Sequence, residues 1–291
     1  MGLILNRPKR SAPRAWTGSK AAVALALAVG MLGALVAEMP ASWVASHLNS
    51  SPASRLQLLD ARGTLWNGSA QLALAGGADS RDRLALPGRL AWSLGWRRAE
   101  TPQPPSTERL PFGPTLTLRH SQAMPQPAAV HIGLGWQQLS LNWMLAPGQT
   151  ASMLALPAAW LAGLGAPWNT LHPGGELQLS VNRLVLRLQS GTPPEFDLDL
   201  HLALRDLNSR VSTLPVLGSY GLHAQGRQEL NLSLNTQDGS ALILEGRGLW
   251  RRGGRLEFQG IAQAATGQEA ALSNLLNIIG RRDGPRSLIQ L

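Results

Sequence analysis

The chain has 291 residues, 44% of them hydrophobic, with 31 glycines, 20 prolines, 10 tryptophans and no cysteine. Its formal net charge of +9 invites a nucleic-acid partner, yet Arg7, Lys9, Arg10, Arg14 and Lys20 carry most of the excess, and the later arginines are scattered among 17 acidic residues. No stripe tracks a phosphate backbone, no thiolate can form a disulfide or a metal site, and the Gly/Pro content suits a turn-rich β protein.

Ala21 to Ala37 contains no charged or strongly polar residue. This length is at the short end of what spans a bilayer, and Trp16 and Trp43 flank it where interfacial aromatic residues would sit. Basic residues lie on its N-terminal side alone, which puts that end in the cytoplasm. A cleaved signal peptide is the competing reading. Cuts after Ala37 or Ala41 would place Leu35 or Met39 where a small residue is needed, so the expectation is an uncleaved anchor. The implied order is a cytoplasmic basic tail (1–20), a transmembrane helix (21–40) and an exported β-rich domain (41–291), with a loop or subdomain break at 99–114.

Beyond the anchor, side chains alternate with period two. Leu56 to Ala61 and Thr64 to Leu74 read as two strands with a turn or bulge at Arg62-Gly63. Leu90, Trp92, Leu94 and Trp96 form one apolar face. Thr101 to Pro114 is too rich in proline for a sheet ladder and reads as a loop, as does Gln122 to Pro127. Val130 to Trp136 and Leu139 to Trp143 are strands in different phase, with a turn or bulge at Gln137-Gln138. Pro157 to Gly165 reads as a short helix. Leu177 to Leu188 slips phase at Asn182-Arg183, the mark of a bulge. Strands follow around Phe196–Leu204, Leu230–Leu234, Leu242–Leu244 and Leu256–Phe258. A final helix spans Gln268 to Ile279, with Gly280 as its stop.

Some ten strands thus offer apolar faces while only two short helices can cover them. The expected fold is mainly β: a long curved antiparallel sheet, open or a partly closed barrel or sandwich, with an N-terminal transmembrane helix and two short helices. His47, His120, His131, His172, His201 and His223 lack the short spacing of metal sites, and Asp197 and Asp199 read as solvated strand residues. No nucleophile elbow, P-loop or S-x-x-K motif occurs, so no catalytic, cofactor-binding or metal residue is assigned and no enzyme is expected. Nine of the ten tryptophans occur by residue 168 and read as core filling.

Gly63-Thr64-Leu65-Trp66-Asn67-Gly68-Ser69-Ala70 forms a G-T-x-W-x-G-S-A stretch. Further on come Leu217-Gly218-Ser219-Tyr220, a strand pair carrying Gly246 and Gly260, and an L-x-x-L-L-x-x-I-G close from Leu272 to Gly280. These, in this order behind a basic tail and one apolar helix, resemble the type II secretion system protein N family (general secretion pathway protein N). The match is weakest between about 97 and 130. On this resemblance Gly63, Thr64, Trp66, Gly68, Ser69, Gly218, Tyr220, Gly246, Gly260 and Gly280 are family-signature positions of structural importance.

The resemblance implies a single-pass protein of the bacterial inner membrane with its C-terminal domain in the periplasm. It implies an accessory part of the secretion machinery that has no cofactor and works by protein–protein contact with other inner-membrane platform proteins. Strand edges and the Trp66 region would make those contacts by strand addition. The alternative is an AsmA-like lipid-handling envelope protein, in which the one-sided sheet leaves an apolar groove for lipid.

Overall fold

The computed structural model describes residues 17–50, 54–76, 82–96, 112–145, 149, 151–166, 168–251 and 256–290, with the backbone alone for 17–21. Residues 1–16 of the basic tail, Trp16 among them, and most of the proline-rich Thr101–Pro114 segment lie outside them. The chain divides into two units, Met1–Met39 and Pro40–Leu291.

The first unit holds α1 (Thr17–Ala37), whose apolar side chains, Val23, Leu25, Leu27, Val29, Met31, Leu32 and Leu35 among them, are all exposed. Such a helix has no polar face to offer water. Among the described residues no helix is long and apolar enough to cross a membrane.

The second unit begins with α2 (Ala41–Asn49), which the period-two reading did not anticipate. Its strands are β1 (Leu56–Gly63), β2 (Asn67–Ala75), β3 (Arg83–Ala85), β4 (Leu90–Gly95), β5 (Thr115–His120), β6 (Ala128–Gly135), β7 (Gln138–Met144) and β8 (Ser152–Pro157). A 3-10 helix (Ala158–Leu164) and α3 (Trp168–Leu171) precede β9 (Gly174–Gln189) and β10 (Glu195–Asn208). Then follow β11 (Gly218–Arg227), β12 (Glu229–Thr236), β13 (Leu242–Arg251), β14 (Leu256–Ala264), α4 (Glu269–Ile279), β15 (Arg281–Asp283) and β16 (Arg286–Gln290).

All of these strands belong to one antiparallel, 16-stranded sheet that does not close, in the order β1-β2-β4-β5-β6-β7-β9-β10-β11-β12-β13-β14-β16-β15. Two rows are interrupted. β3 and β4 pair with successive parts of β2, split at Pro87-Gly88, and β7 and β8 pair with successive parts of β9. The second break lies beside Asn182, where the register of β9 against β10 shifts, so the expected bulge is present. At Gln137 the slip is a hairpin turn, with Gly135 paired to Gln138 and a positive φ of 57°.

The sheet is strongly curled between β2 and β9. The 3-10 helix touches β2, β3 and β9. Leu72 and Leu74 of β2 and Leu177 of β9 pack into one core around Trp160 of that helix, whereas five strand spacings in a flat sheet would separate β2 from β9 by about 24 Å. Trp160, 8% exposed, fills the concavity with Leu86, Ala123, Leu156 and Leu177, and its Nε1–H donates to the Leu84 carbonyl oxygen at 2.9 Å. A second core lies near the C-terminus, where Leu272, Leu275 and Leu276 of α4 pack on Leu217, Leu242 and Ala262. The two expected helices thus cover apolar strand faces, and α2 covers a third patch, with Ala41 on Ala70 and Trp92.

Of the turn or bulge expected at Arg62-Gly63, the structure has the bulge, slightly earlier in β1, and places the turn later. The chain does not reverse at Arg62-Gly63: β1 runs on to Gly63, which pairs with Gly68, and the reversal is at Thr64–Asn67. There Thr64 N–H donates to the Asn67 oxygen at 2.9 Å and Asn67 N–H to Thr64 Oγ1 at 3.1 Å. The irregularity earlier in β1 is a register shift between Leu59 and Arg62, where Asp60 takes a φ of 47°. Trp66 therefore sits in a turn rather than on a strand face, since a side-chain-capped turn satisfies local backbone groups that alternation alone cannot reveal.

Candidate functional site

The signature positions fall into two clusters far apart in the strand order. At the β1–β2 turn, Gly63 has a φ of 85°, and a Cβ there would lie 2.5 Å from the Asn67 oxygen. Gly68 pairs with Trp92 of β4, whose indole covers it so closely that a Cβ would meet ring carbon at 2.6 Å and the Thr64 oxygen at 2.7 Å. Trp92 Nε1–H donates to the Leu65 oxygen at 3.1 Å. The ring over Gly68 is thus that of Trp92. Ser69 accepts a hydrogen bond from Arg89 Nε at 3.2 Å, while Arg89 Nη1 pairs with Asp60 at 2.7 Å. Hydrogen bonds from Arg62 and Arg89 hold the Asp60 carboxyl below its ordinary value.

The second cluster joins Gly218, Tyr220, Gly246 and Gly260 across β11, β13 and β14. Gly218 leaves room for Ser240, and the buried Tyr220 hydroxyl donates to the Leu242 oxygen at 2.8 Å, with burial raising its pKa. Phe258 lies over Gly246 and Gly260: a Cβ on Gly246 would meet its ring at 2.5 Å. Gly280 joins α4 to β15, pressed against the Leu288 backbone oxygen. The signature glycines make space for aromatic rings and close backbone approaches. None of these groups converges on a reaction centre.

The outer side of β1 is covered. Asn49 of α2 presents its amide to Leu58 as a peptide group would, donating to its oxygen and accepting from its N–H, both at 2.9 Å. Ser54 Oγ donates to the Leu56 oxygen, and Pro40 forms a bridge to Thr64. At the other end of the sheet β15 has three exposed, charged residues. Covered backbone groups and short charged strands both discourage strand addition.

The histidines divide sharply. His47 packs on Trp43, and His172 is exposed. His120 is buried: its Nδ1 accepts from the Ala123 N–H at 3.0 Å, its Nε2 has no partner among the described residues, and burial lowers its pKa from 6.5. His131 is also buried, beside Thr115. His201 and His223 pair across β10 and β11 with their rings stacked at 3.8 Å. Both Nε2 atoms face Asp199 Oδ1, at 3.7 and 2.9 Å. Alternation already puts Asp199 and His201 on one polar face. His223 joins them only through the strand register, which the nine-residue connection after β10 hides from sequence reading.

Trp96, Phe112 and Trp136, three exposed aromatic side chains, gather at one end of the strands. Trp136, at the β6–β7 turn, is 94% exposed; Phe112 is 78% exposed and stacks on Trp96 with ring centroids 5.2 Å apart. Phe112 is tied to β6 by the hydrogen bond from the Leu134 N–H to its oxygen. The Trp66 turn lies at the same end, since Leu94 N–H bonds the Trp66 oxygen.

No curated protein and no solved structure matches the chain. A family model described as type II secretion system (T2SS), protein N, matches residues 54–288, from just before β1 into β16 and across both signature clusters, so the chain belongs to that family.

Proposed function

We propose that this protein is an accessory inner-membrane component of the type II secretion machinery. In this reading α1 belongs to a single N-terminal anchor with its basic end in the cytoplasm, and the β domain works in the periplasm by protein–protein contact. The family assignment supports the role in secretion. The exposed Trp96–Phe112 stack and Trp136 carry the interaction reading: large aromatic side chains left in water are the usual anchors of protein interfaces. The occupant we infer is another component of the same machinery. Strand addition at β1 is not part of the reading, because Asn49 and Ser54 already occupy its backbone groups. Lipid handling is also the weaker alternative, because Trp160 and its neighbours fill the concavity of the curled strands.

The test is photocrosslinking in cells producing the whole secretion system, with the photoreactive residue at Trp136 or Phe112 and, as control, at Glu257 on the polar face. Adducts with a platform protein at the aromatic end, and none at the control, are expected. Equal labelling at both places, or none at either, defeats the reading. An alkaline-phosphatase fusion after residue 291 checks the topology and should be active.

A further inference from the structure

The geometry points to a divalent transition-metal site on the polar face of the sheet, formed by Asp199, His201 and His223. Among the described residues these three bring their donor atoms within 4.8 Å of one another. A tetrahedral ion with metal–nitrogen and metal–oxygen bonds near 2.1 Å holds its ligands about 3.4 Å apart. The two Nε2–Oδ1 separations, 2.9 and 3.7 Å, bracket that spacing; the rings lie nearly parallel, 3.8 Å apart, so the half-exposed His201 ring turns out of the stack to aim its in-plane lone pair at the ion. Two imidazoles and one carboxylate form a set that suits zinc and its neighbours better than magnesium or calcium.

The sheet builds this set. His201 and His223 are directly opposed, and Asp199 lies two residues along β10 on the same face. Nearby positive charge is diverted: Arg183 and Arg227 pair with Asp197, at 3.6 and 2.9 Å, instead of with Asp199. The bulge residue Asn182 hydrogen-bonds Asp199, an outer contact of the kind that orients ligating carboxylates. With His201 half exposed, the side away from the sheet is open to water, which would complete the coordination.

His223 Nε2 and Asp199 Oδ1 share a hydrogen in the metal-free arrangement. Binding the ion puts the neutral ring in its other tautomer, one hydrogen leaving Nε2 and one taken up at Nδ1 through solvent, so that the Nε2 lone pair meets the metal. The site does not rest on the secretion reading and would stand without it.

Equilibrium dialysis of the tag-free, full-length chain in detergent against micromolar Zn2+ at neutral pH tests it, with circular dichroism as the check that each variant folds. We expect one ion per chain and a higher Tm with zinc than without. His201→Gln and His223→Gln should each weaken binding at least tenfold, and Asn182→Ala by about tenfold through the outer contact. The double variant His201→Gln/His223→Gln should lose both the ion and the zinc-dependent Tm shift, while His172→Gln keeps both. Failure of the wild-type chain to take up zinc, or equal uptake by the folded double variant, overturns the assignment.

Discussion

The curled strands from β2 to β9 and the strands after β10 solve one problem in different ways. Each must hide apolar strand faces with little helix. In the first region the cover comes from inside the curl, and its key contact, Trp160 to Leu84, joins residues 76 apart in sequence. In the second, α4 lies back over strands that flank it in the chain, Leu242 and Ala262 before it and Ile289 after it. The same contrast recurs in the glycine slots. Gly68 is closed by the Trp92 ring and by the Thr64 backbone, whereas Gly246 is closed chiefly by the Phe258 ring. A ring can shift where a backbone cannot, so the first region should be the less forgiving.

Replacing the two central side chains tests this contrast most strongly. Trp160→Ala should cost about 4 kcal/mol, from the emptied volume and from the Leu84 oxygen left without its donor. Leu275→Ala, in the other core, should cost about 3 kcal/mol. Urea unfolding should show the first change weakening probes in both β2 and β9; a loss confined to the 3-10 helix would break the picture of one filled curl.

Next come the slots. Gly68→Ala should destabilise by about 2–3 kcal/mol and Gly246→Ala by about 1 kcal/mol, because overpacking costs most where neighbours cannot move. Thermal denaturation of the two variants decides it, and equal shifts would erase the distinction.

Edge protection is a smaller term. Asn49→Ala should cost about 1–2 kcal/mol for its two hydrogen bonds with Leu58. Light scattering should also detect concentration-dependent association as the side of β1 is uncovered. A variant that stays as dispersed as the wild type would show that α2 covers the edge without Asn49.

The gentlest probe is pH. Burial lowers the His120 pKa in the folded chain, so the unfolded chain takes up the proton first as pH falls below 6.5. The contribution of neutral His120 is therefore complete above 6.5 and is lost as pH drops towards the lowered value. His120→Asn keeps an acceptor for the Ala123 N–H but does not titrate. Its urea midpoint should fall less between pH 7 and pH 5 than that of the wild type; parallel declines would clear His120 of this role.

Much of the fold could be read because alternation is a local property. The strands around Leu90, Val130, Phe196 and Leu256, the Asn182 bulge and the α4 stripe all follow from side-chain period and turn chemistry within a dozen residues. The short strands β3, β8 and β15 carry too few residues for a period to register. α2 was missed because Ala41–Asn49 has only a weak apolar stripe, and packing on β1 and β2 completes it.

By itself the sequence determined the β class, the apolar segment ahead of it, the need for the sheet to curl and the family. Tertiary structure alone decided which ring covers Gly68, which helix fills the curl and which histidine stands beside Asp199. Those depend on register and on contacts between distant strands, and a period of two says which face a side chain takes but never which partner it meets there.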